Sequence, residues 1–518
     1  MARHRVVVVG GGMGGLACAI DLAGADCDVT LVEQAAGPGG KMHQLAVGDA
    51  RIDGGPTILT MRWVFDELFA DAGASLDDHV RLEPATVLAR HAWSGNERLD
   101  LFADVERSAD AVGSLAGAAE ARGYRAFAAE SADIYRTLRD TFLTRDRCGL
   151  LGLSWRIAMQ DPPALFRLRP YETLWGALGD HFRDPRLRQL FGRYATYCGA
   201  SPFQAPATLM LIAHVEQEGV WLVDGDMRRL AEALAALAAA RGVELRYGEA
   251  VSRVAVERGR AAGVELVSGE RIAADAVVVN ADAAAVQAGA FGRELAGVVP
   301  GARRPSRSLS AVTFAAVACT AGFPLARHNV FFSRDYPAEF DDLAAGRLPA
   351  EPTIYVCAQD RDDGGAGAGE TERIFALVNA PADGDRRAMD EEELRACETT
   401  VFRHLRRCGL EVTPSGPSVV TTPSDFERRF PGTGGGLYGQ AMHGWTAAFR
   451  RPGSRTRTPG LYLAGGGVHP GAGVPMAALS GRLAARRLMR DRASTSRSRP
   501  PATAGGTSTR SATTAASA

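Results

Sequence analysis

The 518-residue chain carries 59 basic and 60 acidic residues, for a net charge of -1, and is 46% hydrophobic. At roughly 150 residues per domain the length excludes a single small module, and the hydrophobic content is ordinary for a soluble, packed protein. The balanced charge argues against a nucleic-acid binder, which shows a basic excess. Only Lys41 is lysine; every other basic residue is arginine. The eight cysteines form no CxxC pair and are too sparse for a disulfide framework. They fit a reduced, cytoplasmic setting, and no metal site is expected. The apolar run Val6–Val9 ends at once in glycines, so no signal-peptide core is read. No stretch approaches the ~18 uninterrupted apolar residues of a membrane-spanning helix.

In chain order, Val6–Val9 reads as a buried strand, Leu16–Gly24 as helix and Val29–Val32 as a second strand closed by Glu33. Helical stretches follow at Arg62–Ala72 and Ala116–Arg139. An aromatic and basic stretch runs from Trp155 to Trp175. Met227–Ala240 reads as helix and Val243–Tyr247 as strand. Ala250–Val256 and Ala262–Leu266 read as a hairpin turned at Arg258–Arg260, and Ala276–Asn280 as another apolar strand. Val312–Cys319, Thr353–Cys357 and Ile374–Asn379 read as a second sheet, with a flexible connection at Gly364–Gly369. Leu461–Ala464 is a strand leading through glycines into a helix, Met476–Met489. Arg492–Ala518 has only small, polar and arginine residues and is expected to be a disordered tail.

The strongest motif joins the first two elements. Gly10, Gly12 and Gly15 form GxGxxG between strand and helix. Gly10 permits the tight turn, Gly12 lets a pyrophosphate approach the backbone, and Gly15 lets helix and strand pack closely. The anion then rests on the helix N-terminus. Glu33, 18 residues past Gly15, is placed to accept from ribose hydroxyls and would repel the extra phosphate of NADP. Further turns select FAD over NAD. Gly39-Gly40-Lys41 lets the chain return across the pyrophosphate, and Asp53-Gly54-Gly55-Pro56 exposes more backbone. Gly465-Gly466-Gly467 repeats the strand-to-glycine step before Val474-Pro475-Met476 starts a helix. Amides at that helix start suit negative charge on a reduced isoalloxazine.

These residues, with Asp184-Pro185-Arg186, Ser201-Pro202-Phe203, Pro423-Ser424-Asp425-Phe426 and His469-Pro470-Gly471, resemble the bacterial carotenoid (phytoene-type) desaturase family of FAD enzymes. The similarity spans Arg5 to about Met489. His443-Gly444-Trp445, Phe449–Pro452 and Val474–Arg482 look most like its 1-hydroxycarotenoid 3,4-desaturase branch, also called methoxyneurosporene dehydrogenase. Two positions depart from the family pattern: Asp26 stands before the second strand, and Asp226 stands after Gly225, both where glycine is usual.

The resemblance implies an α/β fold: a Rossmann-type FAD-binding domain with an interleaved substrate domain of mixed sheet and helices. FAD-binding parts are expected at residues 1–75, 221–300 and 451–491, a helical substrate- and membrane-contacting region at 76–220, the substrate sheet at 301–450 and the tail at 492–518. The cofactor set is Gly10, Gly12, Gly15, Glu33, Gly40, Lys41, Gly55, Val251, Gly465, Val474, Pro475 and Met476, with Val251 at a position whose backbone meets the adenine in related flavoproteins. The implied reaction is desaturation of an acyclic carotenoid, with oxygen or a quinone as electron acceptor. Phytoene or neurosporene desaturation, a flavin oxidase of amines or porphyrinogens, and a non-catalytic prenyl-binding protein are the alternatives.

No acid–base dyad stands out, so the catalytic residues are unassigned. His469 reads as a positioning residue in a turn beside the flavin, with an acid–base role as the alternative. Asp425 reads as a helix cap, and His443 is a weaker candidate than His469. Tyr438 and Trp445 are candidates for the walls of a polyene channel. A substrate this apolar must come from a bilayer, so peripheral membrane association is expected. Trp155–Trp175 reads either as an interfacial segment or as an amphipathic helix packed inside the substrate domain.

Overall fold

The computed structural model describes residues 3–300, 306–362 and 369–497. The sheet expected from the opening motif is five-stranded and parallel, ordered Glu244–Tyr247, Cys27–Glu33, His4–Val9, Ala276–Val279 and Leu461–Leu463. Val6–Val9 and Ala276–Val279 at its centre are apolar at every position because both faces are covered there. The helices Met13–Gly24 and Val474–Arg497 pack against each other on one side. The other side is covered by the antiparallel strands Val251–Glu257, Arg260–Leu266 and Arg271–Ala273, through a cluster that includes Val7, Val9, Val32, Val254 and Val264. The first and last helices therefore touch, although they are far apart in the chain. A Cβ on Gly481 would collide with the carbonyl of Gly14.

The second sheet has seven strands, ordered Leu410–Thr421, Ser310–Gly322, Glu372–Ala380, Ile354–Ala358, His328–Phe331, Val87–Ala92 and Arg98–Phe102. Its two faces follow from strict alternation. Val312, Phe314, Ile374, Ala376 and Val378 meet Val401 and Leu405 of the helix Glu391–Arg407. Thr313, Phe375, Leu377 and Asn379 face the opposite way, into a cavity.

Three expectations are corrected. The stretch 76–220 is not purely helical, because Val87–Ala92 and Arg98–Phe102 complete the second sheet. The last helix runs to Arg497, six residues into the expected tail. Trp155–Trp175 is not one helix: Leu150–Gln160, Ala164–Arg167 and the start of Leu174–His181 share it. The 363–368 part of the glycine connection and the tail beyond Arg497 lie outside the described residues. Of the two departures from the family pattern, Asp26 takes the left-handed conformation (φ 63°) that glycine would otherwise supply. Asp226 does not; the positive φ belongs to Gly225.

Candidate active site

At the end of the first strand, Gly10 turns with φ 100°, and its N–H donates to the Val32 carbonyl at 2.8 Å. A Cβ on Gly15 would collide with the Gly10 carbonyl oxygen, so helix and strand reach their separation only with glycine there. At Gly12 an added Cβ would meet only the Asn280 amide nitrogen at 3.0 Å and the Gly40 Cα at 4.0 Å. Gly12 has no side-chain cap, and the first turn of its helix has no acidic residue, which leaves amide donors open to an anion.

Glu33 is buried. Its Oε2 accepts from the Gly11 N–H at 2.6 Å and its Oε1 from the Ala35 N–H at 2.8 Å, which fixes the carboxylate beside the glycine turn. Gly39 donates to the Gly11 carbonyl, so the chain does return over the first turn, and Gly40 then lies against Gly12. Gly55 packs on the Lys41 carbonyl with no room for a Cβ. Lys41 Nζ donates to the Leu437 carbonyl at 2.5 Å, and burial lowers its pKa. Val251 packs against the cluster holding Val9 and Val32. Gly465 donates its N–H to Ser480 Oγ at 3.2 Å, while Val474, Pro475 and Met476 form a cavity wall at the start of the last helix.

Sequence reasoning missed the residue that ties these turns together. Asn280 closes the all-apolar strand Ala276–Val279, and its amide donates to the Gly10 carbonyl at 3.1 Å. A Cβ on Gly14 would lie 2.7 Å, and one on Gly465 2.6 Å, from the Asn280 amide oxygen. The signal was a lone amide at the end of an otherwise apolar strand, level with the first glycine.

A cavity of about 400 Å³ lies between the Gly54–Pro56 turn, the Pro470–Met476 turn and the second sheet. Ile58, Leu138, Phe142, Leu209, Phe375 and Phe426 are among its walls, and Tyr438 belongs there as expected. Trp445 does not; it stands 40% exposed at the surface, edge-on to Tyr171. Buried Arg451 donates to the carbonyls of Tyr438, Gln440 and Gly466. Arg193 lies over the rings of Tyr197 and Tyr355. Glu216 is the one carboxylate on the described wall; it accepts from Tyr194 Oη at 2.7 Å, and burial raises its pKa.

His469 itself is not on the wall, although Pro470 is. Its Nε2 donates toward the carbonyls of Phe142 (3.1 Å) and Arg145 (2.9 Å), its ring meets Phe142 edge-on, and burial holds its pKa at about 4. Asp425 forms a capping box with Thr422, and His443 Nε2 accepts from the Ser201 N–H.

The flavin-containing amine oxidoreductase model matches residues 13–489. The chain belongs to that family. It is 53% identical, across 99% of this chain and 98% of the relative, to a hydroxyneurosporene desaturase of Rubrivivax gelatinosus. It is 46% identical, across 95% and 99%, to one of Cereibacter sphaeroides. Among solved structures it resembles an oxidoreductase from Methanosarcina mazei, with TM-score 0.59, 15% identity and coverage of 94% and 100%. The resemblance read in the sequence therefore holds: this is an FAD-dependent oxidoreductase of the carotenoid desaturase group. The glycine cradle and the uncapped helix start fit that cofactor.

Proposed function

We propose that this enzyme desaturates an acyclic carotenoid bearing a 1-hydroxy or 1-methoxy end group, at the 3,4 bond, and draws it from a membrane surface. The cavity wall carries the reading: it is mostly apolar, with Lys41, Arg193 and Arg451 as its cations and Glu216 as its one described carboxylate. An amine substrate would enter as a cation and meet repulsion and desolvation. A polyene loses nothing by leaving water.

Bound FAD supplies a two-electron acceptor that takes one hydrogen as hydride. The second hydrogen would leave as a proton from the adjacent carbon, its C–H electron pair forming the new double bond; the conjugated chain spreads the charge left by the hydride, so no strong protein base is required. The glycine turns and Glu33 would hold the nucleotide, with Val251 toward the adenine and Lys41, Gly55 and Val474–Met476 toward the ring. His469 acts as a positioning residue, tying the Pro470 turn to the segment that carries Phe142.

Membrane contact is supported by a one-sided apolar surface. Leu151, Trp155 and Met159 recur every fourth residue on the outer face of Leu150–Gln160, while Leu153 and Ile157 face inward. Leu151 and Phe166 are each 86% exposed, and Tyr171 and Trp445 form a further exposed aromatic pair. Arg156 of the same helix donates to the Thr141 carbonyl, next to the cavity-lining Phe142 and Leu143. Among the described residues no helix is long and apolar enough to cross a membrane.

The test is incubation of the FAD-loaded enzyme with lipid-dispersed acyclic carotenoids with and without the 1-hydroxyl, followed by product spectra. A longer-wavelength product from the hydroxylated substrate is expected. Equal or better turnover of phytoene counts against the branch assignment. Anaerobic turnover with a soluble quinone distinguishes a quinone acceptor from oxygen.

A further inference from the structure

Two buried polar atoms on the wall of this apolar cavity have no partner within the protein: His43 Nε2 and Thr313 Oγ1. Such atoms are costly unless a ligand pairs them. His43 Nδ1 lies 3.2 Å from the Lys41 carbonyl, which can only accept, so Nδ1 carries the proton and Nε2 presents a lone pair. Burial keeps the ring neutral, with its pKa held down to about 4. Thr313 is 1% exposed and points from the second sheet into the cavity, paired across strands with Leu377 and two register positions from Asn379 on the same face. The wall therefore offers one acceptor, and one hydroxyl that can donate. Both residues line this cavity, and the strand Gln44–Val47 that follows His43 packs on Ser310–Gly322, so a neutral alcohol bound between them would give its proton to His43 and accept one from Thr313.

We propose that His43 and Thr313 form the receptor for the 1-hydroxyl of the carotenoid and select the hydroxylated substrate over the unoxygenated one. The proposal rests on the carotenoid reaction argued above. Its location follows from the substrate's chemistry. One methylene separates the hydroxyl-bearing carbon from the bond to be oxidised, so the hydroxyl must be buried at the redox end of the cavity. His43 belongs to that end. It follows Lys41 by two residues, its carbonyl accepts from the Gly54 N–H at 2.9 Å, and a Cβ on Gly54 would lie 3.1 Å from its Nε2. The two atoms also make different demands. A methyl ether can still accept from Thr313, but it has no proton for His43.

The test compares kcat/KM of the FAD-loaded enzyme on the 1-hydroxy, 1-methoxy and unoxygenated forms of one acyclic carotenoid. His43→Leu is expected to cost about tenfold to a hundredfold on the hydroxy substrate alone. Thr313→Val is expected to lower both oxygenated substrates, with turnover of the unoxygenated form within about twofold and FAD content unchanged in both variants. Lost FAD, or an equal loss on all three substrates, overturns the proposal, because the atoms then serve the cofactor or the packing. The unaltered enzyme supplies a check independent of folding. A long-chain 2-methyl-2-alkanol should inhibit more tightly than its methyl ether, and the ether more tightly than the parent alkane; equal inhibition overturns the proposal. A wild-type enzyme that desaturates none of the carotenoids removes the carotenoid reading beneath it. One that desaturates all three equally removes this proposal and the end-group preference, and leaves carotenoid desaturation standing.

Discussion

Gly12 and Gly15 share one helix start, but the two positions should fail differently when substituted. A side chain at Gly15 has nowhere to go, because the Gly10 carbonyl already occupies its place. Gly15→Ala should therefore push helix from strand and lower stability by a few kcal/mol even without cofactor. Gly12 has ordinary dihedrals (φ -76°) and faces space bounded mainly by the Asn280 amide. Gly12→Val should fold with a Tm close to that of the flavin-free wild type, yet purify without FAD, because the new side chain takes the place of the pyrophosphate. Normal flavin content in Gly12→Val would contradict the docking argument. The glycines were legible in the sequence because their spacing is itself the geometric constraint. Asn280 and Glu216 were not: a single amide or carboxylate gains meaning only from the distant strand or tyrosine that the fold brings to it. Trp445 was misplaced for the same reason, since an aromatic residue in a loop reads equally as wall or as surface.

The helix Leu150–Gln160 is apolar on two sides, and one side suffices for packing. Leu153 and Ile157 provide the inner contact, so Leu151, Trp155 and Met159 are exposed without structural need. Burying each such side chain in a lipid interface contributes about 1.5–3 kcal/mol at most. A Leu151→Glu, Trp155→Glu, Phe166→Glu triple variant should lose at least tenfold in affinity for phosphatidylcholine vesicles in a flotation assay. Its activity on detergent-dispersed substrate should stay within about twofold. Undiminished vesicle binding would remove this surface from the membrane-contact argument. The sequence marked the stretch by its mixed aromatic and basic composition, but composition does not say which stripe packs inward. Val87–Ala92 went unread because a six-residue strand in a long mixed region carries too few alternations to stand out, and its partner His328–Phe331 lies over 200 residues away.

At the scale of the whole molecule, the turns around residues 41–57 and 470–476 and the middle of the chain close around one cavity, and buried histidines help to hold that closure. His469 joins the last glycine turn to the segment 142–145. His328 bonds the hydroxyl of Tyr355, which in turn bonds Thr57 just past the Gly55 turn. Burial holds His43, His404 and His469 at about 4 and His91 and His328 at about 3. Each value lies below that of a free histidine, so below pH 6.5 the unfolded chain binds protons that the folded chain refuses. Stability from these residues is complete above pH 6.5 and drains away as the pH falls toward 4 and 3. Each contributes about 1.4 kcal/mol per pH unit across that window. Asp53 acts in the opposite sense: burial raises it to about 6, so the folded state gains a proton first and recovers some stability on acidification. His4, His214 and His443 are also held down, while Asp21, Glu216 and Glu339 are pushed up like Asp53, so eight histidines stand against four carboxylates and the balance is a net loss of stability on acidification toward pH 5. The Tm of the FAD-loaded protein should therefore fall steadily from pH 7 to pH 5, with flavin fluorescence released at the same temperature as the loss of helix, since His328 and His469 join segments of the cavity wall. A Tm that stays flat or rises over that range would mean that these rings are not held neutral and buried.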